Sequence, residues 1–223
     1  MSEKVVYCWV KFGRKEHMEN LFNNGEVCFS AVRDFRESSE NERGDSLEGA
    51  YSIENVTLID IKCDHPTLGT FHFKPLPNSK TRLTHFNDDP YLNFSIYAVT
   101  SNVFENNFKH TIDKRMAEFG DYAVIIKDPK LFLDKIFNKL KAVGVAARGQ
   151  FVDYRDYKNI EKLELTFFNK SIEFKHQEEY RIIIESEDNS KRIVGIGSIK
   201  EYAILIKSSE AIEMFWEAKK SST

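Results

Sequence analysis

Short runs dense in β-branched and aromatic residues recur along almost the whole chain, and that recurrence constrains the fold more than any other feature. Val5–Phe12, Glu26–Ala31, Tyr91–Thr100, Asp121–Lys127, Glu178–Glu185 and Tyr202–Lys207 all read as strands. Alternation through Tyr51–Cys63 and Thr70–Lys74 predicts two or three more, with His65-Pro66 and Leu68-Gly69 as turns. Phe151–Tyr154 and Lys191–Gly197 read as strands too, the latter ending in a tight turn at Gly195-Ile196-Gly197. Helical spacing is rarer. Residues 14–25 place Met18, Leu21 and Phe22 on one face and stop at Gly25, while Asp128-Pro129 opens a helix with Leu131, Phe132, Ile136, Phe137 and Leu140 on its apolar side. Helices are also expected over 102–120, where Phe104, Phe108, Ile112 and Met116 recur every four residues, over 159–170, and over 208–220. The pattern predicts a single α+β domain over residues 1–223, with mixed or antiparallel sheets flanked by helices.

At 223 residues and 41% hydrophobic, the chain can bury a core that needs no covalent staples. Lys plus Arg total 32 against 35 Asp plus Glu, a net charge of -3, which argues against broad nucleic-acid binding and leaves room only for a local patch. No apolar run approaches the roughly 18 residues of a membrane span, and the opening MSEKVVYCWVKFG lacks the layout of an export signal. A cytoplasmic protein without membrane contact is expected. Cys8, Cys28 and Cys63 are odd in number and form no CxxC pair, so they read as reduced thiols, Cys8 and Cys28 as small buried hydrophobes. The six histidines show no ligand spacing, and no glycine-rich phosphate loop occurs. No metal site is predicted.

Polar residues at strand ends carry what chemistry the sequence offers. Lys11 ends the first strand, and Ser30 lies near the end of the second. The charged stretch 32–49, ending in Arg43-Gly44-Asp45-Ser46-Leu47-Glu48-Gly49, reads either as a solvated helix end and loop or as a functional loop. In Lys175–Arg181, strand periodicity puts Gln177, Glu179 and Arg181 on one face and Glu178 and Tyr180 on the other. A carboxylate there, flanked by an amide, can hold sugar hydroxyls and stabilise an oxocarbenium-like centre. Alternatively, Lys175, Glu178 and Arg181 are ion-pair partners on a wet face.

Two resemblances follow from these segments. The opening Tyr7–Gly13, Asn24–Ser30, Arg43–Gly49, Phe119–Ile126, Phe151–Tyr154 and Phe174–Arg181 together resemble an uncharacterised bacterial and phage domain family of unknown function. More locally, strand, helix, a second strand carrying Ser30, and a late Gln177-x-Glu179 strand start are similar to the ADP-ribosyltransferase fold. That similarity implies NAD bound between two half-sheets. It implies Glu179 on the ribose and the cationic C1′, Ser30 shaping the nicotinamide pocket and Gln177 positioning the acceptor. Lys11 stands where the family offers Arg or His, and it lacks the bidentate fork of Arg. Tyr7, Trp9 or Tyr180 would stack on a ring. Arg43 and Arg181 would contact the dinucleotide, and the 33–49 loop would form a lid or an acceptor-recognition loop. The acceptor itself is not specified.

Two other classes fit the same residues. A metal-dependent nuclease or hydrolase would use Asp45, Glu48 and Glu179 with Lys175. A non-enzymatic module binding a nucleotide-like small molecule or a partner would draw phosphate contacts from Arg33, Arg36, Arg43, Arg148, Arg155 and Arg181. By analogy of kind alone, compact chains of this type suggest toxins or proteins of phage defence.

Overall fold

The structure is a computed structural model and describes residues 4–38, 44–56, 61–74, 81–86, 90–104, 108–158 and 160–217. The chain opens as β1 (Val6–Gly13), α1 (Lys15–Asn24), β2 (Glu26–Ala31) and α2 (Val32–Glu37). Then come β3 (Ala50–Val56), β4 (Ile61–His65), β5 (Gly69–Phe73), β6 (Thr81–Phe86) and β7 (Tyr91–Thr100). Past β8 (Lys109–Thr111) and β9 (Tyr122–Ile126) lies the longest helix, α3 (Pro129–Ala142). The remainder is β10 (Ala147–Phe151), β11 (Asp153–Arg155), β12 (Lys162–Glu164), β13 (Asn169–Ser171), β14 (Glu179–Glu185), β15 (Arg192–Gly195), β16 (Ala203–Lys207), α4 (Ser208–Glu213) and β17 (Phe215–Glu217). Among the described residues no helix is long and apolar enough to cross a membrane.

The architecture is α+β, built on an eight-stranded antiparallel sheet that forks. Six strands run in the order β10-β14-β7-β1-β9-β16. On the β7 edge away from β14, the register with β1 covers Tyr97–Thr100 and the register with β2 covers Leu92 and Asn93. Neither reaches Phe94–Ile96. One leaf continues through β1, β9 and β16, the other through β2 and β15. α1 connects the leaves and ends at Gly25, whose φ of 66° is left-handed and whose amide bonds back to Asn20 and Leu21.

Both faces of the sheet are covered. On one, Phe132, Ile136 and Leu140 of α3 pack with Met18 and Leu21 of α1 against Trp9, Phe94, Ile96 and Ile182. Burying each of these large side chains contributes about 1.5–3 kcal/mol. Pro129 stands at the start of α3, Asp128 accepts from the Leu131 amide at 2.9 Å, and the Trp9 indole donates to the Pro129 carbonyl at 3.0 Å. On the other face Cys8, Val10 and Phe12 meet Met116, Ile112 and Ala211.

Three expected helices are corrected. Over 102–120, two 3-10 turns, Ser101–Phe104 and Lys114–Phe119, flank β8, because β8 finds a distant partner in β17. Asp113 restarts the backbone by accepting from the Arg115 amide at 2.9 Å. Phe108 is exposed. Over 159–170, Lys162–Glu164 joins β3 as a strand and Asn169–Ser171 pairs in parallel with β11. From Ser208 the helix ends at Glu213 and β17 begins at Phe215. Residues 57–60, 105–107, 159 and 218–220 of the expected elements lie outside the described residues, as does Arg43.

Candidate functional site

The fork in the sheet holds a cavity of about 240 Å³. Lys11, Ser30, Gln177, Glu179 and Arg181 all line it, so residues from the first thirty positions and from the start of β14 meet there. Asn93 and Ser95 of β7, Lys170 of β13 and Glu48 complete its polar wall, while Phe12, Met18, Met116 and Phe119 supply apolar surface.

Strand register explains the meeting. Ser30 is the cross-strand partner of Asn93, and Arg181 is the partner of Ser95. Such pairs share a face. Where β7 has no strand beside it, Lys11 reaches across and its ammonium donates to the Ser95 carbonyl at 2.5 Å. The same ammonium lies 4.9 Å from the centre of the Phe94 ring.

Glu179 is 6% exposed and surrounded by donors. The Ser95 hydroxyl and Arg181 Nε, the latter at 2.5 Å, donate to its Oε1. Lys170 Nζ and Arg181 Nη2 lie at 3.3 and 3.4 Å from Oε2. Its backbone amide donates to the Tyr154 hydroxyl at 2.9 Å. Burial alone would raise its pKa, but the Arg181 and Lys170 charges outweigh burial and hold the carboxyl well below the usual range. Glu179 is therefore ionised, with Oε1 committed and Oε2 bound only at long range.

Arg181, 1% exposed, is the organising cation. It grips Glu48 in a bidentate fork at 2.6 and 2.8 Å and donates to the Phe167 carbonyl at 2.6 Å. Lys170 donates to Gln177 Oε1 at 2.8 Å and sits over the Phe174 ring. Glu48 has its pKa raised by burial despite Arg181. Two cations and two carboxylates thus form a neutral buried set, the condition under which such charges are tolerated. Immediately before Glu179, Glu178 takes a left-handed φ of 37°, turning the chain from a 3-10 segment into β14.

Several expectations are corrected here. Arg181 is an internal clamp on two carboxylates, which leaves no wet ion-pair face with Lys175 and Glu178. The expected ring-stacking residues lie elsewhere. Tyr7 is exposed and packs edge-on to Phe104. Tyr180 points to the opposite face of the sheet and meets Trp9 and Phe151, with ring centres 5.0 and 5.1 Å away. Cys8 is buried, which pushes its thiol up to about 12, whereas Cys28 is half-buried and lines the cavity. At the described end of the 32–49 stretch, Asp45, Glu48 and Gly49 are buried and Ser46 is exposed. Asp45 accepts from the Leu47 amide at 2.9 Å, and the resulting turn carries Glu48 inward to Arg181.

Asn93, Ser95 and Lys170 were not among the expected site residues. The first two carried a signal, as polar residues at alternate positions of the otherwise apolar run YLNFSIYAVT. Lys170 carried none. No protein-family model, curated protein or solved structure matches the chain.

Proposed function

We propose that the fork binds the nicotinamide–ribose end of NAD and that the chain is an ADP-ribosyltransferase-like enzyme. The observation that carries this reading is the convergence of Lys11, Ser30, Gln177 and Glu179 on one cavity between two leaves of a sheet. At about 240 Å³ the cavity is smaller than the roughly 300–1,000 Å³ of sites for whole drug-sized ligands. It suits one ring with its sugar, leaving the adenosine half towards the mouth, where Lys191 is exposed.

When the C1′–nitrogen bond breaks, nicotinamide leaves with the electron pair and positive charge develops on the ribose. Glu179 is fixed and ionised before the substrate arrives, so it opposes that charge without reorganising. Its Oε2 accepts a ribose hydroxyl. Ser30 orders the ring pocket, and Gln177, held through Oε1 by Lys170, faces the acceptor. Lys11, pinned on the Ser95 carbonyl, contributes positive charge where the family would place Arg or His.

The alternatives find less support in the geometry. A metal-centred hydrolase needs Glu48 as well as Glu179 at a cation, and both oxygens of Glu48 are held by Arg181. Among the described residues no group of three or more His, Cys, Asp or Glu is placed to hold a metal ion. Of the arginines a phosphate-binding module would use, Arg33 pairs with Glu37, Arg155 with Asp153, and Arg181 is buried.

Release of nicotinamide from NAD by the whole chain tests the proposal. Glu179→Gln, which keeps the size of the side chain, is expected to lower the rate by about 10²–10³-fold, with urea unfolding of the same sample as the control for folding. Turnover by Glu179→Gln equal to that of the unaltered chain contradicts it.

A further inference from the structure

We infer that the chain holds a second binding site, which takes an organic cation bearing N–H groups, such as a primary ammonium, between Asp45 and Tyr157. The site lies outside the fork and does not depend on the NAD reading.

The turn that carries Glu48 to the fork also lines a second cavity. Its volume of about 410 Å³ falls within the range of sites for small organic ligands. Asp45 and Leu47 line it from the turn, and Tyr157, Ile172 and Phe174 line it from later in the chain.

Two polar side chains there are buried and only partly satisfied. Asp45 is 6% exposed and Tyr157 is 4% exposed. Among the described residues, Asp45 Oδ1 accepts from the Leu47 amide at 2.9 Å, Oδ2 accepts from nothing, and no cation pairs with the carboxylate. The Tyr157 hydroxyl has no hydrogen-bond partner either. Only the Tyr157 carbonyl is engaged, by Asn55 and Arg82, both at 3.0 Å.

Neither oxygen is sealed away. The unpartnered side-chain atoms that are wholly inaccessible among the described residues are Asn93 Oδ1, Thr100 Oγ1, Tyr202 Oη and Trp216 Nε1. Asp45 Oδ2 and the Tyr157 hydroxyl therefore open on the cavity that their residues line. The two also feel each other: burial, and after it the Asp45 charge, raise the Tyr157 pKa and keep the hydroxyl neutral.

A buried carboxylate with no opposing charge is costly, and a ligand cation supplies that charge. Its N–H groups donate to Asp45 Oδ2 and to the lone pairs of the Tyr157 hydroxyl. Leu47, Ile172 and Phe174 offer apolar surface to the rest of the ligand. A metal ion fits less well, because it wants several oxygen ligands and, among the described residues, no three His, Cys, Asp or Glu gather to hold one. An anion also fits less well, although Arg82 and Lys158 line the same cavity. Arg82 donates to Asn55 Oδ1 at 3.1 Å and to the Tyr157 carbonyl, and Lys158 pairs with Glu173 at 3.0 Å.

NMR titration of the whole chain, following the Leu47 amide that donates to Asp45, tests the assignment. Benzylammonium is expected to shift that amide. It should bind about tenfold tighter or more than benzyl alcohol, the order of a hydrogen bond to a charged group. Benzyltrimethylammonium, charged but without N–H, should bind more weakly than benzylammonium, and benzoate should not displace it. Asp45→Asn, close in size, should bring benzylammonium and benzyl alcohol together. Tyr157→Phe, which keeps the ring, should weaken benzylammonium by about two- to tenfold. The amide spectrum of each variant reports whether it is folded.

Equal affinities for benzylammonium and benzyl alcohol in the unaltered chain would overturn the inference, as would tighter binding of benzoate. A Leu47 amide that no compound moves, or a preference unchanged in folded Asp45→Asn, would overturn it equally.

Discussion

Arg181 shows how much one side chain can hold at this site. It sits at 1% exposure only because two carboxylates and a carbonyl converge on its guanidinium. Removing it strands Glu48 and Glu179 in low dielectric, and Arg181→Ala is expected to cost about 3–5 kcal/mol of stability. Urea unfolding measures this, and a loss under about 1 kcal/mol, the size expected of an exposed pair, would contradict the clamp. Arg181→Lys should recover only part, since an ammonium cannot make the two-pronged contact with Glu48. Alternation in the sequence was enough to put Glu179 and Arg181 on a common face, but Gln177, expected in the same strand, reaches the cavity from the 3-10 segment Ile172–Gln177 before it. Alternation could not reveal Glu48, 133 positions away, as the partner that turns Arg181 from a ligand contact into an internal strut.

Among the elements, those with strong local preference were legible. β2 and β7 stand where their strand-like runs predict them, and α3 follows its Asp-Pro start and apolar stripe. Misreadings came where pairing over long distances overrode local spacing. The four-residue recurrence of Phe104, Phe108, Ile112 and Met116 imitates a helical stripe, but Lys109–Thr111 is recruited by β17. Gly25 was legible as a stop signal, yet its second constraint was not. A Cβ there would stand 1.9 Å from the Gly197 carbonyl oxygen, and its φ is left-handed besides. Gly25→Ala should therefore destabilise the chain by about 2 kcal/mol or more, read as a fall in the urea midpoint. A change within about 0.5 kcal/mol, typical of an unconstrained surface position, would show that α1 and the 195–197 turn do not meet so closely.

For the molecule as a whole, the decisive feature is that β7 takes two partners along one edge and leaves Phe94–Ile96 between them without a strand. That fork creates the cavity and brings β1, β2, β13 and β14 to it. β1, β2, β7, β9, β14 and β16 were readable from residue type, whereas β6, β8, β10, β12, β13 and β17 were not, and neither was the strand order, because nothing local encodes which strands divide an edge. On the function proposed above, NAD occupies this fork. Met18 and Met116 both line it and are buried, whereas Met214 does not line it, so methyl NMR of the methionines is the most direct measurement. Titration with NAD should shift the Met18 and Met116 signals and leave Met214 in place. Signals of Met18 and Met116 that stay fixed at saturating NAD would mean that NAD does not enter the fork.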